Sequence, residues 1–325
     1  MERKRKGNGI LIGAILVFLF SVIMIFVTMD SGNDVDDNPN VSQDLTKTLE
    51  VDGQVYEYNK NLMNILFLGI DKDDVIEEQV NPHSAGQSDC IMILSLNKET
   101  KEGRILQIPR DTMTEVDMYD KNGNYYDSAI RQITLQFAFA LGGEDSCWAT
   151  KKTVSELLYD LPIDGYFALD MAGVSMVTDA IGGVTITVPK DYTHIDPAFE
   201  EGSTITLNGE QAERYIRYRD LDQMFSNNDR MDRQTQFIPA LVDALKHKVG
   251  SSGNYVDMLL PVVGEYMITD LREDQLNEMA DYNLDMAEIQ TLPGEGKMGD
   301  VHEEFHVDQE KLLKNLAEMF YISKK

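Results

Sequence analysis

The sequence predicts an α/β fold in which helices flank a central, mixed β-sheet, preceded by one N-terminal transmembrane helix. Short apolar runs of strand length alternate with segments of helical periodicity, which is the pattern of an α/β sheet. A separate apolar run of about 20 residues near the N-terminus has the length of a membrane span. With 42% hydrophobic and 26% charged residues, the chain has the composition of a globular protein.

Residues 10–29 form the predicted membrane anchor because they contain no charged side chain. Basic residues precede them and acidic residues follow, so the positive-inside rule places residues 1–9 in the cytoplasm and the rest outside the cell. A cleaved signal peptide is the alternative, but its apolar core would be shorter. Residues 30–60 are polar and acidic, with weak strand signals at 49–58, and are assigned to an extracellular linker. Residues 61–325 are then one extracellular domain, since no later segment has a linker's composition.

Charged residues stand at the ends of the first predicted strands of this domain. The strands cover residues 64–71, 90–96 and 104–109. The charged residues are Asp71 at the end of the first strand, Asp89 just before the second, and Arg110 and Asp111 just after the third. Ligand-binding loops of α/β sheets gather at strand ends, so these are candidate site residues.

Later segments alternate between helix and strand. Helices are predicted over residues 130–140, 148–159, 171–181, 209–218, 258–267, 271–282 and 309–321. Strands are predicted over residues 166–169, 184–188 and 288–292. The alternation predicts a sheet of mixed direction covered by helices.

Residues 211–234 concentrate arginine in an acidic chain. This stretch holds five arginines and no lysine, whereas the whole chain carries a formal net charge of -27. The arginines are Arg214, Arg217, Arg219, Arg230 and Arg233. Because a planar guanidinium pairs bidentately with phosphate, the set predicts a phosphate site. The alternative is a set of surface arginines paired with the neighbouring aspartates.

Helix-capping residues organise the first part of this stretch. Asn208 and Gln211 have the spacing of a capping box, which predicts a helix over residues 209–218. This helix carries Arg214 and Arg217 on one face.

A second helix in the same stretch is predicted to begin at Asn227 or Asn228. Its first turns would present Arg230, Arg233 and Gln234. Free backbone N–H groups and the positive end of the helix dipole lie there too, which suits an anion.

Six segments, in order, carry a resemblance to a known family: SDCIMILSLN, IPRDT, FALGG, DAIGGVTITVP, LNGEQAERYIRYR and DRMDRQ. The ordered set, after one membrane helix, resembles the LytR-CpsA-Psr family over residues 64–250. Members of that family attach glycopolymers such as wall teichoic acid or capsular polysaccharide to peptidoglycan in Gram-positive bacteria. The resemblance implies a hydrophobic pocket for the polyprenyl chain of the donor, and arginines that hold its pyrophosphate with a divalent metal.

The resemblance also implies roles for individual residues. Asp71 and Asp89 are implied to hold Mg²⁺ (or Mn²⁺), and Arg110 to contact the pyrophosphate, so that Asp89 and Arg110 are both catalytic. The other implied phosphate-binding residues are Arg217, Arg219, Arg230, Arg233 and Gln234.

Two residues depart from the pattern of the family. Gln87 stands where many members have an arginine, which removes one positive charge from the site. Thr134 stands where many members have a lysine, and Arg131 is a candidate to compensate. We therefore expect activity or substrate preference to differ from members that keep both residues.

Transfer from a sugar pyrophosphate requires neutralising the charge of two phosphates. A metal and several arginines supply that stabilisation, and positioning supplies most of the rest. The acceptor hydroxyl must lose a proton, and Asp111, beside Arg110, is the candidate catalytic base. The alternative role for Asp111 is to orient the guanidinium.

The sequence predicts a membrane-anchored phosphotransferase that moves a glycopolymer from a polyprenyl-pyrophosphate carrier to peptidoglycan, outside the cell membrane of a Gram-positive-type envelope. One alternative is a metal-dependent phosphohydrolase that cuts the same lipid with water. Another is a non-catalytic envelope regulator or lipid-binding protein. No basic helix-turn-helix is visible in the sequence, which argues against nucleic acid as a partner.

Two other residue pairs carry weaker signals. Cys90 and Cys147 are an even number of cysteines in an oxidising compartment, so two interpretations are open. The two residues form a disulfide, or each is a small core side chain. His302 and His306 have helical spacing, but the strand-like residues around them argue against a zinc site.

Overall fold

A computed structural model of the chain describes residues 47–71, 85–170, 172–218, 233, 236–237, 240–241, 244, 248, 264–272, 275, 282–284, 289–299 and 302–324. The predicted anchor, residues 10–29, and the tail before it lie outside these ranges. Within the ranges, no helix is both long and apolar enough to cross a bilayer.

The described residues form strands and helices in alternation. The strands are β1 (Thr48–Val51), β2 (Gln54–Tyr58), β3 (Leu62–Asp71), β4 (Gln87–Asn97), β5 (Glu102–Ile108), β6 (Met113–Tyr119), β7 (Tyr125–Gln132), β8 (Gly165–Asp170), β9 (Val184–Thr187), β10 (Thr204–Leu207), β11 (Met267–Thr269), β12 (Asn283–Leu284), β13 (Gln290–Thr291), β14 (Gly294–Met298), β15 (Glu303–Val307) and β16 (Tyr321–Ser323). The helices with complete bounds are α1 (Leu135–Ala138), α2 (Gly143–Leu157), α3 (Ala172–Ile181), α4 (Gly209–Arg217) and α5 (Gln309–Phe320).

A seven-stranded sheet forms the centre of the domain, in the order β11, β8, β3, β4 and β5, with β12 and β13 both paired to β5. β3 runs parallel to β8 and antiparallel to β4, so the predicted mixed direction is confirmed. β3 and β4 are nearly continuous apolar runs and are largely buried. Strands covered on both faces have this composition.

Neighbouring side chains of β3 enter different cores because a strand alternates its faces. Phe67 packs in one buried cluster with Tyr215 of α4. Leu66 packs in the other with Val154 of α2. The sheet is therefore a middle layer, with α3 and α4 on one side and α2 and α5 on the other.

The helix predicted over residues 130–140 is wrong in its first part. Residues up to Gln132 belong to β7, which pairs with β6 through Gln132 and Met113. Only Leu135–Ala138 is helical in this segment. Pairing with β6 decides the strand, and periodicity inside one segment does not report a partner elsewhere.

Part of the segment assigned to the linker, residues 30–60, is folded. β1 and β2 lie within it and pair with each other. β2 also pairs with β16, Tyr58 opposite Tyr321. The sequence signal for these strands is weak because both strands are short and polar. The second partner of β2, β16, comes from the far end of the chain.

Two further helix predictions differ from the structure in their bounds or type. The helix predicted over residues 148–159 is α2, which begins earlier, at Gly143. Met267, predicted to end a helix over residues 258–267, instead begins β11. Most of the helix predicted over residues 271–282 lies outside the described residues.

Cys90 and Cys147 are both free thiols, so the disulfide interpretation does not hold. Cys147 is buried in one core and Cys90 packs against the other. Local burial, reinforced by the neighbouring Asp89 carboxylate, raises the pKa of the Cys90 thiol to about 12. Both residues therefore act as small core side chains.

Candidate functional site

A β-bulge places the side chain of Asp89. The register between β3 and β4 pairs Gly69 with Cys90. The next pair joins Ile70 to Ser88, so Asp89 is the extra residue on β4. A bulge interrupts the alternation of faces and turns a side chain in a new direction. A Cβ on Gly69 would lie 2.9 Å from the Cβ of Cys90, so the strand opposite the bulge requires a glycine.

The guanidinium of Arg110 joins the adjacent ends of β4 and β5. Its Nη1 pairs with the Oδ1 of Asp89. Its Nη2 donates to the Oε1 of Gln87 over 3.1 Å. About a third of the Arg110 side chain stays exposed to solvent, at 36%. Gln87, the first departure from the family pattern, therefore holds the arginine where a second positive charge would repel it.

Thr134, the second departure, also contacts this cluster. Its Oγ1 donates to the Oδ1 of Asp89 over 3.4 Å, and its backbone N–H donates to the carbonyl of Arg110 over 3.1 Å. The threonine is fully buried. Arg131, the residue proposed to compensate, lies exposed on β7 opposite Thr114. Thr134 thus contacts Asp89 through one long hydrogen bond and adds no charge to the cluster.

Asp111 is held by a glutamine more closely than by its arginine neighbour. The Nε2 of Gln132 donates to its Oδ1 over 2.7 Å, whereas the Nε of Arg110 is 3.6 Å from that oxygen. Burial raises the pKa of the Asp111 carboxyl above its usual range, although Arg110 opposes the shift; Glu303 adds to it. A carboxylate with a raised pKa is a stronger proton acceptor, which suits a general base.

The capping box predicted for α4 is confirmed, and the helix delivers Arg217 to the end of β3. The Oδ1 of Asn208 accepts from the backbone N–H of Gln211, and the Gln211 side chain accepts in return. At the other end of α4, the Nη2 of Arg217 lies 2.9 Å from the Oδ1 of Asp71. The Nη1 of the same arginine lies 2.9 Å from Glu213.

Arg214, one turn earlier on α4, has other partners. It pairs with Asp196 at 3.3 Å and with Glu210 at 2.7 Å. Although Arg214 and Arg217 are near each other on the helix, the structure separates their contacts. Arg217 contacts a carboxylate at the end of β3, and Arg214 does not.

The two carboxylate–arginine pairs lie at neighbouring strand ends and are linked through Gln87. Asp71 lies opposite Gln87 in the register of β3 and β4. Gln87 in turn bonds Arg110, which pairs with Asp89. The ends of three strands and one helix therefore converge, as their charged ends predict.

Arg233 lies in a different environment from Arg217. Only 2% of it is exposed, and its Nε donates to the carbonyl of Tyr215 over 2.6 Å. Its Nη2 donates to the carbonyl of Tyr218, and the guanidinium lies 5.0 Å from the centre of the Tyr192 ring. These contacts fasten α4 to the chain that follows. Arg219, Arg230 and Gln234 lie outside the described residues.

We expect Arg233→Met to destabilise the protein by about 2–3 kcal/mol, because it leaves the buried Tyr215 carbonyl without its donor, breaks the bond to the Tyr218 carbonyl and removes a cation–π contact. Thermal unfolding of the variant measures the loss. Arg131→Met, which removes the same charge from an exposed position on β7, is the control and should shift the unfolding temperature little. An unchanged unfolding temperature together with lost donor binding would instead make Arg233 a substrate ligand.

Asp71 and Asp89 suit a divalent metal only when substrate completes its coordination. Among the described residues, no cluster of three or more His, Cys, Asp or Glu side chains could hold a metal. Mg²⁺ commonly binds one or two carboxylates together with substrate phosphates and water. Two hard carboxylates at adjacent strand ends fit that mode of binding.

Sequence reasoning did not find Gln132 as a site residue. Its contact with Asp111 depends on the pairing of β6 with β7, which brings the two ends of the hairpin together. The sequence predicts a helix over residues 130–140, so no signal in the sequence points to Gln132.

The chain matches one family model and is similar in sequence to two teichoic acid transferases. The LytR_cpsA_psr family model matches residues 24–321. The polyisoprenyl-teichoic acid–peptidoglycan teichoic acid transferase TagU of Enterococcus faecalis is 29% identical over 98% of both chains. The enzyme of the same name from Halalkalibacterium halodurans is 33% identical over 66% of this chain and 63% of its own.

A solved structure has the same fold. The crystal structure of TagV from B. subtilis superposes with a TM-score of 0.51 at 26% identity. The match covers 80% of this chain and 98% of TagV.

Proposed function

This chain belongs to the LytR-CpsA-Psr family, and we propose that it is a membrane-anchored phosphotransferase that moves a glycopolymer from a polyprenyl-pyrophosphate carrier to peptidoglycan. The observation that carries the proposal is the convergence of Arg110 and Arg217 with Asp71 and Asp89 at adjacent strand ends. Its similarity to the polyisoprenyl-teichoic acid–peptidoglycan teichoic acid transferases supports it. The predicted anchor over residues 10–29 would hold the domain at the outer face of the membrane.

The reaction joins the acceptor to the phosphate next to the polymer. An acceptor hydroxyl attacks that phosphorus, the bond to the bridging oxygen of the pyrophosphate breaks, and polyprenyl phosphate leaves. The product is a phosphodiester between polymer and acceptor. The step moves negative charge onto the leaving phosphate, so fixed positive groups lower its barrier.

Arg110 and Arg217 are suited to bind the two phosphates. Both keep part of their side chains exposed, at 36% and 25%, so a ligand has access to the guanidinium groups. Their carboxylate partners hold them in place before substrate arrives, which reduces the reorganisation needed on binding. Arg219, Arg230 and Gln234 remain proposed phosphate ligands from their positions in the motif. The burial of Arg233 favours a structural role instead.

Mg²⁺ or Mn²⁺, held by Asp71 and Asp89, would neutralise phosphate charge when bound. Asp111 would accept the proton of the acceptor hydroxyl. Its raised pKa favours that role, and the hydrogen bond from Gln132 orients its carboxylate. The 3.6 Å separation from the Nε of Arg110 is too long for a good hydrogen bond, which weighs against an orienting role.

The test is a transfer assay with the full-length protein and a lipid-linked polymer labelled in its sugar. With peptidoglycan and Mg²⁺ present, we expect the label to become attached to peptidoglycan and a chelator to prevent the transfer. Release of soluble label at the same rate without peptidoglycan would identify a phosphohydrolase. Lipid binding with no turnover in Mg²⁺ or Mn²⁺ would identify a non-catalytic lipid-binding protein.

A further inference from the structure

A groove lies beside the β6–β7 hairpin, and none of the paired arginines or their carboxylate partners lines it. Its lining residues come from β6, β7, the C-terminal half of α2, the turn that follows α2 and the start of α5. They include Glu115, Asp117, Tyr125, Lys152, Glu156 and Tyr159. Its volume of about 640 Å³ falls in the range of small-ligand sites. We call it the hairpin groove.

Two tyrosine rings border the hairpin groove and face solvent. Tyr125 is 57% exposed and Tyr159 is 38% exposed. The Tyr125 ring packs edge-on against Tyr119 at 6.4 Å, and the hydroxyl of Tyr159 donates to Gln309 over 2.8 Å. Both rings are therefore held in position while an aromatic surface remains available for stacking.

The backbone at Tyr159 is strained. Tyr159 and Asp160 both have positive φ values, of 59° and 53°, which non-glycine residues seldom adopt. Lys47 fastens the segment, because its Nζ donates to the carbonyl of Asp160 over 2.9 Å. Strained residues cluster at ligand sites, where the surrounding structure holds them. Tyr159 thus lines the groove in a backbone conformation that few tyrosines adopt.

The floor of the hairpin groove is polar and carries a net negative charge. Lys152 lies 2.5 Å from Asp117 and 3.4 Å from Glu156. The hydroxyl of Ser128 donates to Glu115 over 2.5 Å. The groove thus combines three carboxylates with one ammonium group. Carboxylates accept hydrogen bonds from sugar hydroxyls and repel a chain of phosphates, so the lining suits an uncharged, hydroxyl-rich ligand.

The hairpin groove begins near the candidate base. Gln132, at the end of β7, pairs with Met113 of β6 and donates to the carboxylate of Asp111. Thr114, in the groove lining, follows Asp111 by three residues, which is about 10 Å in an extended strand. The part of the groove at Thr114 therefore lies within about 10 Å of Asp111 along the chain.

We propose that the hairpin groove binds an uncharged saccharide strand by stacking sugar rings on Tyr125 and Tyr159. The identity of this strand rests on the proposed transferase function. The strand is the acceptor glycan, and one of its hydroxyl groups is delivered to Asp111. The donor pyrophosphate binds at the arginine pairs, so donor and acceptor approach the base from different sides.

Isothermal titration calorimetry tests the proposal. The full-length chain in detergent is titrated with tetra-N-acetylchitotetraose. The parent protein binds the saccharide. Tyr125→Ala and Tyr159→Ala each weaken binding by roughly three- to tenfold, because each removes one stacking surface. Tyr126→Ala is the matched control, since Tyr126 is 57% exposed like its neighbour but does not line the groove, and it leaves the affinity unchanged.

Three results would overturn the proposal: no binding by the parent protein, an equal loss in Tyr126→Ala, or Tyr125-dependent binding of a glycerol phosphate oligomer. Tyr125→Phe keeps the aromatic ring, so it should retain the affinity for the saccharide. A loss of affinity in this variant would also contradict stacking. The titration contains no lipid donor. Failure of the transferase proposal would therefore leave these results unchanged and remain distinguishable from failure of the groove.

Discussion

Arg217→Ala should lower turnover of a polyprenyl-pyrophosphate donor by at least about a hundredfold, which is the usual cost of removing one preorganised electrostatic donor. Arg217 is the described member of the arginine stretch that reaches the strand ends, 2.9 Å from Asp71. Its side chain is only partly buried, so the unfolding temperature should change little. Replacing Arg219 as well should abolish turnover while the protein stays folded.

Two comparison variants separate the role of Arg217 from a general loss of charge. Arg214→Ala removes the same charge from the same helix, but Arg214 pairs with Asp196 and Glu210, so donor turnover should be retained. Arg217→Lys keeps the charge without the planar fork and should recover only part of the activity. Full donor turnover by a folded Arg217→Ala protein would contradict the phosphate site.

Asp89→Asn should also lower turnover by about a hundredfold or more, and should weaken the response to added Mg²⁺. Asp89 stands at the bulge of β4, where it pairs with Arg110 and accepts from Thr134. The amide keeps the shape of the side chain but loses the charge, so it neither holds Arg110 by an ion pair nor binds a cation well. Initial rates over a range of Mg²⁺ concentrations measure both effects.

Asp120→Asn is the matched control for this charge change. The Asp120 carboxylate accepts from the backbone N–H groups of Asn122 and Asn124 in the turn of the β6–β7 hairpin, and an asparagine preserves that geometry. Its turnover and Mg²⁺ response should match those of the parent protein. If the Asp89→Asn variant responded to Mg²⁺ as the parent protein does, binding of the metal would not depend on Asp89.

Local sequence was sufficient for several elements that position the site. The helix over residues 209–218 was predictable because its capping box is formed by residues three positions apart. The strands ending at Asp71 and beginning near Asp89 were predictable because both are long apolar runs. The charged residues at those ends pointed to the same edge of the sheet.

Other features of the site depend on contacts between distant segments. The bulge at Asp89 exists only in the pairing of β3 with β4, and Gln132 reaches Asp111 only because β7 pairs with β6. Arg233 shares a motif with proposed phosphate ligands, yet its guanidinium is used to fasten Tyr215 and Tyr218. No property of an isolated arginine separates these two uses.

The sequence by itself determined the membrane-anchor prediction, the α/β class, the family and the residue types of a phosphate site, because each is encoded in local composition or in ordered motifs. Only the tertiary structure decided which arginine meets which carboxylate, what Gln87 and Thr134 do, and where the hairpin groove lies. Hydrogen bonds and ion pairs act over about 3 Å. Strand register and helix placement therefore decide which of the candidate residues come together.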